Sequence, residues 1–362
     1  MEFVHRTLPQ QVYFGAGRAA ANLAAEVRQR GASRVMVIAS PRERERAERV
    51  CARIDVAVWH DDVVQHVPVA TAEKARSVAA EHGADLLVSI GGGSTTSLAK
   101  AVALTRGMPI VAVPTTYAGS EATDVWGLTE EATKTTGVDS RVLPAAVIYD
   151  AELTLSLPVG LSVASGLNGL AHCVDGMWAP RADPINQALG AEGIRALARG
   201  LPLIAADPSG IEGRELALYG AYLSAVAFAS AGSGLHHKIC HVLGGTYELP
   251  HAETHATVLP YVLAFNAPAA PEAAGRIAHA LGSDSGTAEA AVAALDELRV
   301  RLHAPTALRD YGLTEADLPG AVERVLAVVP PSNPRPVTGN NLTALLRAAL
   351  TGAAPATQLE EI

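Results

Sequence analysis

The sequence predicts an α/β fold in its first half, a Rossmann-like parallel sheet covered by helices, followed by an all-α second half. Three observations carry this. Short β-branched runs alternate with helical stretches as far as Asp150; long Ala- and Leu-rich stretches take over after Pro158; and a glycine-rich turn joins one of the apolar runs to a helix. A chain of 362 residues exceeds what one compact core usually holds, so two domains are expected, residues 1–157 and residues 158–362.

In order along the chain, Arg34–Ile38 (RVMVI) reads as a buried strand closed by Ser40-Pro41. Ala70–His82 reads as a helix, Ala84–Ile90 (ADLLVSI) as a second strand and Thr95–Leu104 as a helix. Pro109–Pro114 (PIVAVP) and Pro144–Asp150 (PAAVIYD) are further strands, and the character changes at Leu157-Pro158-Val159-Gly160. Beyond it, helices are expected over Asn186–Ala206, Arg214–Ala231, Ala269–Leu281 and Gly286–His303. Asp207-Pro208 and Val329-Pro330-Pro331 punctuate them, and no strand is expected there.

Composition narrows the function. Hydrophobic residues make up 49% of the chain, enough for an interior in each half. No apolar run approaches the ~20 residues that cross a bilayer, and Met1–Gln10 has no signal-peptide core, so a cytoplasmic protein with no membrane partner is expected. Cys51, Cys173 and Cys240 lack the spacing of a disulfide framework or a zinc ribbon and read as small buried side chains. The formal charge of -9 argues against nucleic acid as a partner. It also means that an anionic substrate must be held by local positive groups.

Ile90-Gly91-Gly92-Gly93-Ser94 follows a strand and opens a helix. Glycines let a ligand approach the backbone, and the amides and dipole of a helix start favour phosphate oxygens. Pro114-Thr115-Thr116-Tyr117-Ala118-Gly119-Ser120-Glu121 follows the next strand and puts hydroxyls at the carboxyl edge of the sheet, where open α/β sheets bind ligands. Ser40 ends an earlier strand, where dinucleotide enzymes often place an acid against the ribose; a small neutral residue leaves room for a 2′-phosphate. NADH or NADPH is the cofactor this arrangement suits.

Half of the 12 histidines fall in three short segments. Asn168 and His172 stand four apart, as do His237 and His241 in His236-His237-Lys238-Ile239-Cys240-His241, which places each pair on one helix face. His251 and His255 follow an expected turn at Leu243-Gly244-Gly245. Converging imidazoles either hold a divalent metal or bind carboxylates and deliver a proton. Asn168 stands where a metal would want a carboxylate, and an amide oxygen is a poorer ligand for a hard or borderline cation. No bound metal is expected.

At these segments the sequence resembles the iron-containing (group III) alcohol dehydrogenases over nearly its whole length. The likeness runs through Val12-Tyr13-Phe14-Gly15-Ala16-Gly17, His66-Val67-Pro68, Gly91–Thr96, Pro114–Glu121, Arg141-Val142-Leu143-Pro144 and, most specifically, His237–Asn266. Pro250-His251-Ala252-Glu253-Thr254-His255 looks like the branch that reduces maleylacetate. The resemblance implies a dehydroquinate synthase-like fold, a dinucleotide-binding α/β domain, a helical substrate and catalytic domain, and a homodimer. It implies reduction of the C=C bond of maleylacetate to 3-oxoadipate in the degradation of aromatic compounds. Gly92, Gly93 and Ser94 would hold the pyrophosphate, with Gly91 in the same cofactor-binding loop, Thr115 and Thr116 along the nucleotide, Ser120 near the nicotinamide amide, Lys100 below the loop and Lys134 as a weaker cofactor candidate. The family's four metal ligands correspond to Asn168, His172, His237 and His251, and His241 lies where the family has its nicotinamide neighbour. The quartet departs from the metal-binding pattern at Asn168. Ser97 is a second departure, where metal-dependent members often carry Asp. Arg141 and Lys238 are secondary candidates for a carboxylate contact. A metal-dependent alcohol dehydrogenase or aldehyde reductase, a biosynthetic enzyme acting on another unsaturated or oxo acid, and a non-catalytic nucleotide sensor are the competing readings.

Overall fold

The computed structural model describes residues 2–130 and 133–355, the side chains of 133 and 134 excepted, so the Lys134 side chain lies outside the described part. Two compact units result. One comprises Thr7–Leu157 with Ser209–Leu218, the other Met1–Arg6, Pro158–Pro208 and Tyr219–Ile362.

The first unit holds strands β1 (Gln11–Phe14), β2 (Val35–Ile38), β3 (Val56–His60), β4 (Leu86–Gly91), β5 (Ile110–Pro114), β6 (Val125–Glu130), β7 (Thr133–Val138) and β8 (Ala146–Tyr149). Six form one sheet in the order β1-β8-β5-β4-β2-β3, with every pairing parallel. β6 and β7 pair separately as an antiparallel ribbon. Along β2, Val35 and Val37 pack on one side with Leu23, Val50 and Ile90, while Met36 and Ile38 pack on the other with Leu98, Val102 and Ile110. That period-2 division between two helical layers is why the strand reads as an unbroken apolar run.

The strands expected from sequence are β2, β4, β5 and β8, all buried from end to end. Those the sequence did not single out are the sheet edges β1 and β3, partly exposed, and the β6–β7 ribbon. An edge strand needs no second apolar face, so its pattern is weak. The chain passes from β2 outward to β3 and returns on the opposite side of β2 to β4. Such a reversal opens a crevice beyond the carboxyl ends of β2 and β4.

In the second unit no strand occurs among the described residues. Its central helix, Val159–Gly176, is buried continuously from Ser162. A Cβ on Gly166 would lie 2.4 Å from Leu201 Cδ2, so small residues let the neighbouring helix Pro184–Ala206 come close. Asp183 caps that neighbour by accepting from the amides of Ile185 (2.8 Å) and Asn186 (2.9 Å), and its other oxygen lies 2.9 Å from His5 Nδ1. His5 is thereby fastened to this unit. One expectation is corrected here: Gly244 and Gly245 are not a turn but lie inside the helix Leu235–Tyr247, and the break comes at Glu248, with φ 56°. Helical bonding continues through two glycines because Ile239 and Leu243 of the same helix are fully buried and hold it in place. No single helix among the described residues is long and apolar enough to cross a membrane.

Candidate active site

The carboxyl edge of the sheet gathers the nucleotide candidates. Ser40 follows β2, Gly91 ends β4 and Thr115 follows β5, and these three strands are neighbours. Gly92 caps the helix Gly93–Arg106, and its carbonyl accepts from the amides of Thr95 and Thr96. The two loops touch: the Thr115 amide donates to Gly91 O (3.0 Å), and a Cβ on Gly92 would stand 3.2 Å from Thr116 Oγ1. Gly91 has φ 150°, and a Cβ there would lie 2.5 Å from Thr95 Oγ1. Gly91→Ala is therefore expected to cost about 1–3 kcal/mol of stability and to raise the KM for NADH. Thermal melts and initial rates check both, and an unchanged protein would refute the tight fit.

Lys100 lies below this edge and is fully buried. Its Nζ donates to Ser120 O (2.6 Å), Thr123 O (2.8 Å) and Val125 O (2.9 Å). Every one of these is a protein atom, so Lys100 shapes the segment that presents Ser120. Burial lowers its pKa to about 7, against the raising pull of Glu121 and Asp124. Glu121, itself buried, accepts from Tyr149 OH at 2.9 Å. Arg141 is exposed and held bidentately by Asp139.

The helical unit gathers the imidazoles. Asn168 and His172 project from Val159–Gly176, His236, His237 and His241 from Leu235–Tyr247, and His251 and His255 from His251–Asn266. His172 stacks on His237 with ring centroids 4.8 Å apart, and Phe228 lies against both at 4.7 and 4.3 Å. His237 is 4.9 Å from His255 and 6.0 Å from His241, and His255 is 4.4 Å from His251. The sequence-predicted His172, His237, His241 and His251 thus fall into one cluster. Asn168, one turn before His172, is 3% exposed, and its Oδ1 has no hydrogen-bond partner.

Burial dominates the electrostatics. It lowers the pKa of His172 and of His236 to about 3 and holds His237 and His255 well below the usual imidazole value, with neighbouring imidazoles adding to the effect. These four are neutral near pH 7. His241 and His251 are exposed. Asp175, which the sequence reading passed over, fixes one tautomer. Its Oδ2 accepts from His237 Nδ1 (2.8 Å) and from the Gly234 amide (2.8 Å). His237 Nε2 is then left as an unpartnered, buried lone pair. Burial pushes Asp175 up to about 7, and the amides of Gly234, His237 and His236 pull it back. A Cβ on Gly234 would lie 2.4 Å from Asp175 Oδ1, so only glycine fits over this carboxylate. Asp175 is three residues after His172 on the same helix, the one signal that could have revealed it. His236 and His255 were visible only as members of the histidine-rich segments.

A nucleotide edge and a buried imidazole cluster on one chain define a nicotinamide-dependent oxidoreductase. Family models agree: residues 9–151 match the iron-containing alcohol dehydrogenase model, and residues 162–350 match the Fe-containing alcohol dehydrogenase family, C-terminal model. The chain belongs to the iron-containing alcohol dehydrogenase family. It is 47% identical over 357 residues to maleylacetate reductase of Delftia acidovorans (98% of this chain, 99% of the relative) and 46% identical over 360 residues to that of Sphingobium indicum (99% and 100%). Among solved structures it is similar to an iron-containing alcohol dehydrogenase from Corynebacterium glutamicum, with TM-score 0.97, 62% identity and 99% of each chain covered. The maleylacetate reductase structure from Agrobacterium tumefaciens matches with TM-score 0.92, 40% identity, and 98% and 100% of the chains covered.

The family's name implies iron, and the residues at hand do not fit it. Asn168, His172, His237 and His251 offer no anion to offset a hard or borderline cation, and the nearby carboxylate, Asp175, holds His237 and Gly234 through Oδ2, with Gly234 packed over Oδ1. Among the described residues one trio of His, Cys, Asp or Glu brings its donor atoms within 4.8 Å of one another, and it is His236, Cys240 and His255.

Proposed function

We propose that this enzyme reduces the carbon–carbon double bond of maleylacetate to give 3-oxoadipate, using NADH or NADPH and no catalytic metal, as a step in the breakdown of aromatic compounds. The observation that carries the reading is an imidazole cluster with an amide, Asn168, where a metal site would need a carboxylate. The relatives' name supplies the substrate. In this reading residues 1–157 form the nucleotide-binding domain and residues 158–362 the substrate domain. A cytoplasmic homodimer acting on a small dicarboxylate, with neither nucleic acid nor a membrane as partner, fits the charge of -9.

Gly91, Gly92, Gly93 and Ser94 would take the pyrophosphate at the helix start. Thr115, Thr116 and Ser120 would line the nucleotide, Lys100 would hold the Ser120 segment in shape, and Ser40 would admit a ribose with or without a 2′-phosphate. A bound nicotinamide would supply hydride to the alkene carbon conjugated with the ketone, and the negative charge would pass to the ketone oxygen as an enolate. That charge needs preorganised donors in a dry site. His241 and His251, the exposed imidazoles, meet the substrate carboxylates, with half-buried Lys238 beside them in sequence. His237 Nε2 and His172 wait as neutral bases. A dianionic substrate raises their proton affinity, and a protonated His237 Nε2 is a donor to the enolate, with Asp175 stabilising the imidazolium through Nδ1. A proton then returns to the adjacent carbon, so one hydride and one proton complete the saturated product.

The test is spectrophotometric. Freshly generated maleylacetate should oxidise NADH or NADPH stoichiometrically, at the same rate before and after exhaustive treatment with a strong chelator. Loss of turnover on chelation, restored by iron, would replace this reading with a metal-dependent alcohol dehydrogenase. A hundredfold preference for NADH, equivalent to about 2.7 kcal/mol, would refute the role given to Ser40.

A further inference from the structure

We infer that His236, Cys240 and His255 form a binding site for a borderline-soft divalent ion of the zinc type, distinct from the quartet that corresponds to the family's iron ligands. His236 and His255 are 0% exposed and Cys240 is 2% exposed. His236 and Cys240 stand four apart on one helix, one turn over the other, and His255 comes from the next helix, so two rigid elements set the geometry. Their donor atoms all lie within 4.8 Å of one another.

The separations fit a tetrahedral corner. With metal–nitrogen bonds of about 2.0–2.1 Å and a metal–sulfur bond of about 2.3 Å, neighbouring donors stand about 3.3 Å apart for two nitrogens and about 3.6 Å apart for nitrogen and sulfur. The structure has His236 Nε2 3.6 Å from Cys240 Sγ and 2.9 Å from His255 Nδ1. The first pair already has the spacing of a metal corner. The second is a hydrogen bond whose nitrogens need open by only about 0.4 Å to admit the ion. Loading is balanced: the thiol loses one proton to solvent, and each imidazole keeps one on its outer nitrogen, His236 Nδ1 and His255 Nε2, which have no other partner. A thiolate with two imidazoles carries one negative charge, the compensation that Asn168, His172, His237 and His251 lack. Sulfur is also the donor that turns preference from iron toward zinc-type ions. Three protein donors leave a fourth position open.

Cys51 and Cys173 are free and buried as well. Among the described residues neither belongs to a trio of donors, so a thiolate signature reports on Cys240.

The test uses the full chain, stripped of metal and titrated with cobalt(II). One equivalent should bind with an intense near-ultraviolet thiolate-to-cobalt band and visible bands of tetrahedral intensity. Cys240→Ser should abolish the near-ultraviolet band, whereas Asn168→Ala and Cys51→Ser should keep it. X-ray absorption of the unaltered protein loaded with one equivalent of zinc, which depends on no variant folding, should show one sulfur at about 2.3 Å with nitrogen at about 2.0–2.1 Å. A shell of nitrogen and oxygen alone, a band that survives Cys240→Ser, or no stoichiometric binding would overturn the site. The site does not rest on the proposed reaction: chelator-dependent turnover would end the metal-free mechanism and leave the sulfur-ligated ion standing, and the converse holds equally.

Discussion

Replacing His241 or His251 with alanine is expected to lower turnover of maleylacetate by about 10²-fold or more, equivalent to about 2.7 kcal/mol. NADH affinity should be unchanged, because the candidates for the ribose and pyrophosphate, Ser40, Gly91 to Ser94, Thr115 and Thr116, lie in the other unit. The argument rests on exposure. His172 and His237 are buried beneath Phe228 and each other, whereas His241 and His251 remain exposed beside them. A substrate reaching the cluster meets those two rings first. Their loss removes donors to carboxylates and to the developing enolate, and water that fills the gap is a less organised donor. The double variant should fall well short of the product of the two single effects, since groups acting as a unit are not additive. Single-turnover absorbance at the NADH band and fluorescence titration of NADH separate the two quantities. Unchanged turnover in both single variants would remove the cluster from the chemistry.

Much of this was legible in the sequence, and the exceptions share a cause. β2, β4, β5 and β8 stood out because burial on both faces demands continuous apolar residues, and the loop after β4 stood out by its three successive glycines, of which Gly91 has no room for a Cβ. Asp175 did not stand out. A lone acid in an apolar helix looks like noise until the fold brings the Gly234 amide and His237 Nδ1 to it. His255 reads as one more histidine until His236, His237 and His251 are seen around it. Contacts between segments 60 residues or so apart, as from Asp175 to His237, leave no periodic trace. The misplaced turn at Gly244-Gly245 has the opposite origin. Local glycine chemistry was legible there, and the packing of Ile239 and Leu243 overrode it.

Asn168 connects the family name to the chemistry of this chain. An amide cannot neutralise a cation, but its oxygen can accept and its nitrogen donate, which suits a site that binds carboxylates and passes protons. In the proposed metal-free reaction the imidazoles of His172 and His237 would respond to a substrate dianion instead of being locked as neutral metal ligands. On the proposed reaction, the amide that disfavours iron also leaves the imidazoles open to proton delivery, with Asp175 beside His237 as the counter-charge.

Buried neutral imidazoles also predict acid lability. His172, His236, His237 and His255 have folded pKa values depressed below the ~6.5 of an unfolded chain, so between those values the unfolded state binds more protons. Their contribution to stability is fully present above about pH 6.5 and declines as pH falls toward the folded values. Each imidazole held neutral at pH 5 withholds up to about 2 kcal/mol from the folded state. Asp175, raised to about 7, and Glu121, raised by burial, act in the opposite sense, since the folded state holds their protons more tightly. Allowing for both, stability should fall by roughly 3 kcal/mol between pH 6.5 and pH 5. Melting of the helical unit, followed by circular dichroism across that range, should show Tm dropping by about 6 °C or more. A dianionic substrate should restore part of the loss at pH 5, because it favours the charged imidazoles that acid creates, and its binding near pH 7 should take up protons. A Tm that stays flat from pH 7 to pH 5 would mean that the imidazoles are already charged or already solvated in the folded protein. The neutral, desolvated cluster on which the proton chemistry depends would then not exist.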